Sequence, residues 1–133
     1  MEKSVRRLSL RKNERLYERK AIEEVFDKGR SIKEHPVRLL WLIRPASDNI
    51  PVKVAFTVSS RIFKRAVDRN LIKRRMREAY RKNKAGVFEA FGEKKLQCLI
   101  MFIYVDNKIA EYAEIESKII VALQRLIQHA GGK

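Results

Sequence analysis

Residues Leu96 to Val105 form a nearly unbroken apolar run, Leu-Gln-Cys-Leu-Ile-Met-Phe-Ile-Tyr-Val. It falls far short of the ~20 residues needed to cross a bilayer. Neither a helical nor an alternating polar face interrupts it, so it predicts a central β-strand covered on both faces. The other elements of the chain must supply that cover.

Several segments are suited to it. From Arg19 to Lys28, Ala21, Ile22, Val25 and Phe26 fall at helical spacing, and Gly29 stands where a left-handed C-cap is wanted. His35 to Arg44, bracketed by Pro36 and Pro45, predicts a strand with Val37, Leu39, Trp41 and Ile43 on one face. Turn residues over 45–51 lead to a second strand, Val52 to Ser59, expected to pair with the first as a hairpin. Val52, Val54, Phe56 and Val58 face a core, while Lys53, Ala55, Thr57 and Ser59 make a small, partly polar opposite face. Such a face leaves room for an extended nucleic-acid strand, although a solvated sheet face fits the pattern equally well.

After a loop at Ser60 to Lys64, a long helix is predicted from Ala66 to Asn83, its buried stripe being Val67, Leu71 or Ile72, Met76, Ala79 and Tyr80. Lys84 to Lys95 is a break holding one helical turn around Val87 to Phe91, and a closing helix covers Ala110 to Gln128. Met1 to Arg11 shows no period and is expected to be a flexible basic arm ahead of a core over 12–130. The expected order is α-β-β-α-β-α, in one α/β domain without repeats. A chain of 133 residues buries roughly two thirds of its unfolded surface, enough for a core without staples. The lone Cys98 has no disulfide partner. With no apolar signal core near the N-terminus, this points to a reducing, cytoplasmic location and no membrane partner.

The net charge of +15 is concentrated. Met1 to Lys20 has 8 basic and 3 acidic residues, Arg61 to Lys84 has 11 and 2, and the other 89 residues have 12 and 11. Segregated charge of this kind suits a polyanion, because each Lys or Arg facing a phosphate releases a condensed counterion. In the long helix Arg65, Arg69, Lys73, Arg77 and Arg81 share one i,i+4 row, broadened by Lys64, Arg74, Arg75 and Lys82, with Asn70 alongside. Like charges at that spacing repel, so the row opposes helix stability unless a partner compensates. Arginine predominates, which suits bidentate phosphate contact.

Chemistry by side chains has little support. His35 and His129 lie in no triad or metal pattern, no pair of carboxylates shows ligand spacing, and no glycine-rich phosphate loop precedes the long helix. Neither catalytic nor metal-binding residues are expected. A DNA-binding reading lacks a helix-turn-helix. A membrane-surface reading lacks Trp or Phe on the apolar stripe of the long helix. A ribosome-associated or RNA-chaperone protein using the same basic helix stays open.

From Ser59-Ser60-Arg61-Ile62 through Ala66-Val67-Asp68-Arg69-Asn70-Leu71-Ile72-Lys73-Arg74 to Arg77-Glu78-Ala79-Tyr80, the chain closely resembles the bacterial ribonuclease P protein family. Arg69, Asn70, Ile72, Lys73 and Arg74 match the family's Arg-Asn-Arg-Ile-Lys-Arg hallmark, with Leu71 in place of the second arginine. Arg15-Leu16, Val25-Phe26 and Gly29 resemble its first helix and approach. The resemblance implies an α/β sandwich like a domain of ribosomal protein S5, with a left-handed βαβ crossover that the sequence patterns do not show. It also implies an accessory subunit, inert alone, for an RNA that removes the 5′ leader of precursor tRNA with Mg²⁺. By resemblance Arg65, Arg69, Asn70, Lys73, Arg74, Arg77 and Arg81 contact the catalytic RNA. Ile22, Phe26, Arg38, Leu40, Thr57, Ser59 and Arg61 line a leader cleft, where Ile22 and Leu40 replace common aromatics and leave stacking to Phe26 and Trp41. No obligate protein partner is implied.

Overall fold

The computed structural model describes residues 12–92 and 96–131; the expected arm at Met1 to Arg11 lies outside them. After a 3₁₀ turn at Lys12–Glu14 come α1 (Arg19–Lys28), β1 (Arg30–Glu34), β2 (Val37–Pro45), β3 (Val52–Val58), α2 (Ala66–Asn83), α3 (Ala85–Gly92), β4 (Leu96–Tyr104) and α4 (Tyr112–Gly131). The strands form one mixed sheet in the order β1-β2-β4-β3. β4 is antiparallel to β2, from Val37↔Tyr104 to Pro45↔Leu96, and parallel to β3, from Val52↔Cys98 to Val58↔Tyr104.

The central position of β4 corrects the expected hairpin. β2 and β3 do not pair, because β4 separates them. The physical reason lies in the apolar run itself: Cys98, Leu99, Ile100 and Phe102 have no exposure at all. A hairpin would push this strand to an edge, leaving its backbone unpaired and its side chains wet. β2 pairs instead with β1, an unpredicted strand entered directly from α1, in register Arg30↔Trp41 to Glu34↔Val37.

Gly29 also differs from expectation. Its φ is −71°, so no left-handed cap forms; a Cβ there would stand 2.3 Å from the Val25 carbonyl oxygen and 3.1 Å from that of Trp41. Glycine is needed for close approach, not for torsion.

Helices cover both faces. Ile72, Met76, Ala79 and Tyr80 of α2 and Ile115, Ile119, Ala122 and Leu126 of α4 pack on the odd-numbered side chains of β2 and the even-numbered ones of β3 and β4. Ile72, not Leu71, is the fully buried member of the stripe, and Val67 is exposed. On the other face α1 presses Ala21 and Val25 onto Leu40, Leu99 and Met101. The expected single turn after Lys84 is a two-turn helix, α3, which buries Val87 and Phe91. Gln97, polar yet fully buried, donates to Asp48 Oδ1 and to the Ile50 carbonyl, both at 2.9 Å, tying the β2–β3 loop to β4.

Candidate nucleic-acid interface

Two surfaces meet at β3. The first is the outer flank of α2. Its inner stripe is fixed by burial of Ile72, Met76, Ala79 and Tyr80, which turns Asn70 and Arg74 outward and leaves them exposed. The five-cation row is not uniform. Arg81 donates to both oxygens of Glu78, at 3.0 and 2.7 Å, and Arg65 stands 4.0 Å from Asp68, so i,i+3 acids neutralise both ends. Arg69 donates to the carbonyls of Phe63 and Lys64, at 2.8 and 3.0 Å, and pins the preceding loop. Arg77 lies 5.9 Å over the Phe56 ring, and burial, with the charges of Arg15 and Arg74, pulls its guanidinium below the usual value. Lys73 and Arg74 have no carboxylate partner among the described residues. The charge available to a polyanion is therefore concentrated in the middle of the helix.

The second surface is the part of the sheet that α1 leaves partly open. α1 covers the cross-strand row Leu40–Met101–Ala55, while the next row, Arg38–Ile103–Thr57, is half-buried, with Ile103 packed against the same cluster. Glu24 approaches Arg44 at 4.0 Å on one flank of α1, which places Ile22 and Phe26, roughly 200° round the helix, on the flank facing the half-buried row. Phe26 is 53% exposed. Arg38 Nε donates to Ser31 Oγ at 2.9 Å. Past the end of β3, the Ser59 hydroxyl accepts the Arg61 backbone N–H at 3.1 Å, and the Arg61 side chain is exposed.

Ile22 thus packs against the α1 cluster and Phe26 is exposed beside it, Arg38 and Thr57 flank Ile103 on the neighbouring strands, and Ser59 and Arg61 lie past the end of β3. Leu40 lies buried beneath α1. Trp41, expected to stack, is on the opposite face, 5% exposed, with the Arg30 guanidinium over its ring at 5.5 Å. Sequence reasoning missed Ser31 and Lys33, because β1 was not predicted, and Ile103, because its strand was expected to be covered throughout. The period-two partnership of Ile103 with Thr57 becomes readable only once β4 is placed beside β3.

His35 Nε2 is 3.4 Å from Asp106 Oδ2 at an exposed site, and among the described residues no three His, Cys, Asp or Glu are grouped to hold a metal ion. Burial pushes the Cys98 thiol up, away from nucleophilic use. Among the described residues no helix is long and apolar enough to cross a membrane.

A family model described as Ribonuclease P matches residues 10–127. The chain belongs to the ribonuclease P protein family. It is 31% identical over 117 residues to the ribonuclease P protein component of Porphyromonas gingivalis, covering 88% of this chain and 85% of that one. It is also 40% identical over 92 residues to that of Chlorobaculum tepidum, covering 63% and 59%. The RNase P protein of Staphylococcus aureus superposes with a TM-score of 0.66 at 19% identity, covering 85% of this chain and 94% of that one. That of Thermotoga maritima gives 0.65 at 23%, covering 84% and 96%. The α/β fold is therefore that of the RNase P proteins, similar to the ribosomal protein S5 domain. This ribonuclease P protein is a subunit of the ribozyme, an endoribonuclease that processes the 5′ end of precursor tRNA, and it associates with the RNase P RNA.

Proposed function

We propose that this ribonuclease P protein docks the catalytic RNA on the outer flank of α2, through Arg65, Arg69, Asn70, Lys73, Arg74, Arg77 and Arg81. The 5′ leader of precursor tRNA lies in the cleft of Ile22, Phe26, Arg38, Thr57, Ser59 and Arg61, with Leu40 supporting its floor. The observation that carries this reading is the placement of the two surfaces on opposite faces of one sheet, sharing β3. Phe56 lies under Arg77 of the basic helix, while the next residue, Thr57, belongs to the half-buried row. A rigid strand thus holds one RNA at a fixed distance from the other, as a subunit that aligns substrate with a ribozyme requires.

The leader cleft is poor in aromatics. Phe26 supplies the stacking face, Ile22 and Ile103 supply apolar contact, and Arg38 meets a phosphate. Mg²⁺ serves the RNA subunit, and the cations of the protein lessen the repulsion between two polyanions. The work is done in the cytoplasm. Precursor-tRNA cleavage by the RNA subunit at low Mg²⁺, with and without the protein, tests the reading. Stimulation by the protein is expected, and its absence overturns the proposal.

A further inference from the structure

Residues 12–17 cross the edge of β3 as a strap held at three points. The Leu16 N–H donates to the Val54 carbonyl at 2.8 Å, the Leu16 side chain is buried beneath α1, and Glu14 forms a buried ion pair with Lys84 at 2.6 Å. The strap pairs with β3 at Val54 and no further. Between it and α2 runs a groove of about 360 Å³. Val54 and Phe56 form its floor, Tyr17 and Arg15 one wall, Lys73 and Arg77 the other. No carboxylate lines it, and none of its cations is in an ion pair with a described residue.

Tyr17 is the unusual member. It is 70% exposed, although the strap that carries it is fixed on both sides and its neighbour Leu16 supplies the packing. An exposed aromatic face on a pinned backbone, among cations without an ion pair to a described residue, is what single-stranded nucleic acid requires: a platform for a base, and charge for the phosphates on either side. A paired base cannot offer its face, so a duplex does not fit this arrangement. The groove lies within the ~300–1,000 Å³ typical of ligand sites.

We propose that this groove binds an unpaired nucleotide of the RNA subunit, its base stacked on Tyr17 and its phosphates held between Arg15 of the strap and Lys73 and Arg77 of α2. The inference rests on the reading of α2 as the RNA-docking face. It adds to that face a contact that depends on a base being free. The cations of the strap and of α2 then act as one clamp, and the Glu14–Lys84 pair sets its width.

The test is the affinity of the full-length protein for the RNA subunit without substrate, comparing wild type with Tyr17→Ala, Tyr17→Phe and Arg74→Ala. Because Tyr17 is exposed, both of its variants keep the unfolding midpoint of the wild type. Loss of one stacked base weakens binding about tenfold, so Tyr17→Ala loses about that much while Tyr17→Phe stays within about twofold. A labelled oligoadenylate shows the same order among the Tyr17 variants. If Arg74→Ala weakens binding and Tyr17→Ala does not, the groove is not a nucleotide site and the docking face stands. If none of the substitutions weakens binding, the docking face falls with it. A poly-glutamate peptide that binds with the same dependence on Tyr17 overturns the proposal in favour of an acidic-peptide site.

Discussion

Glu14 and Lys84 are 70 positions apart, and their 2.6 Å contact joins the strap to the α2–α3 junction with side chains 7% and 2% exposed. Withdrawing one partner of a buried pair costs far more than the pair gains over an apolar substitute, because the remaining charge keeps its desolvation penalty. Glu14→Ala is therefore expected to lose roughly 3–5 kcal/mol in urea unfolding. Glu14→Leu combined with Lys84→Met recovers much of that loss, which a double-mutant cycle reads as coupling. Gly29→Ala fails for a different reason. The new methyl would sit 2.3 Å from the Val25 carbonyl oxygen, a main-chain atom that cannot swing aside. Its expected cost is about 1–3 kcal/mol, the range for overpacking, measured by the same unfolding experiment. Cys98 is fully buried and its thiol is held up by that burial, so it should stay unreactive towards a disulfide reagent until the protein unfolds.

At the scale of elements, the basic helix is less uniform than its spacing indicates. The i,i+4 row was legible in the sequence, but Glu78 and Asp68 lie at i,i+3 from row members and neutralise Arg81 and Arg65 in part. Arg74 has no such partner among the described residues. Arg74→Ala should weaken RNA-subunit binding and lower the slope of log affinity against log salt by about one phosphate contact. Arg81→Ala should change that slope less, since its guanidinium already holds a carboxylate. α1 over Arg19–Lys28 and α2 over Ala66–Asn83 have the expected bounds, because each is long enough to repeat its apolar stripe. β1 was not legible: in Arg-Ser-Ile-Lys-Glu one buried residue, Ile32, gives no alternation to read. Strand order failed for a related reason. Turn residues over 45–51 mark a reversal but do not say which strand lies alongside, and that choice is made by the need of β4 for cover on every side. The cleft inherits both gaps, since Lys33 comes from β1 and Ile103 from the placement of β4.

For the molecule as a whole, charge sets both the pH and the salt response. Asp48 is held below the usual carboxylate range first by Lys53 Nζ at 2.8 Å, then by the Ile50 N–H at 3.0 Å, with Gln97 also donating. Glu78 is held low by its hydrogen bonds from Arg81. Carboxyls with a depressed folded pKa add stability above their unfolded value, and that stability is lost as the pH falls through the folded value. Thermal stability should therefore decline below about pH 4, the unfolded carboxyl range, and less steeply in Asp48→Asn. Salt separates the two surfaces. If about five phosphates are met on the basic flank, RNA-subunit affinity should fall roughly 10²–10³-fold from about 50 to 200 mM salt, taking duplex DNA as the guide. The proposed leader cleft offers Lys33, Arg38 and Arg61 among mostly apolar or hydroxyl side chains, so its contribution should depend less on salt. Assembled with its RNA at low salt and then shifted to higher salt at saturating protein, the enzyme should keep its preference for leader-bearing over leaderless tRNA while its assembly weakens. A preference that falls with the same slope as assembly would mean that one surface carries both contacts, contrary to the proposed separation of the two across β3.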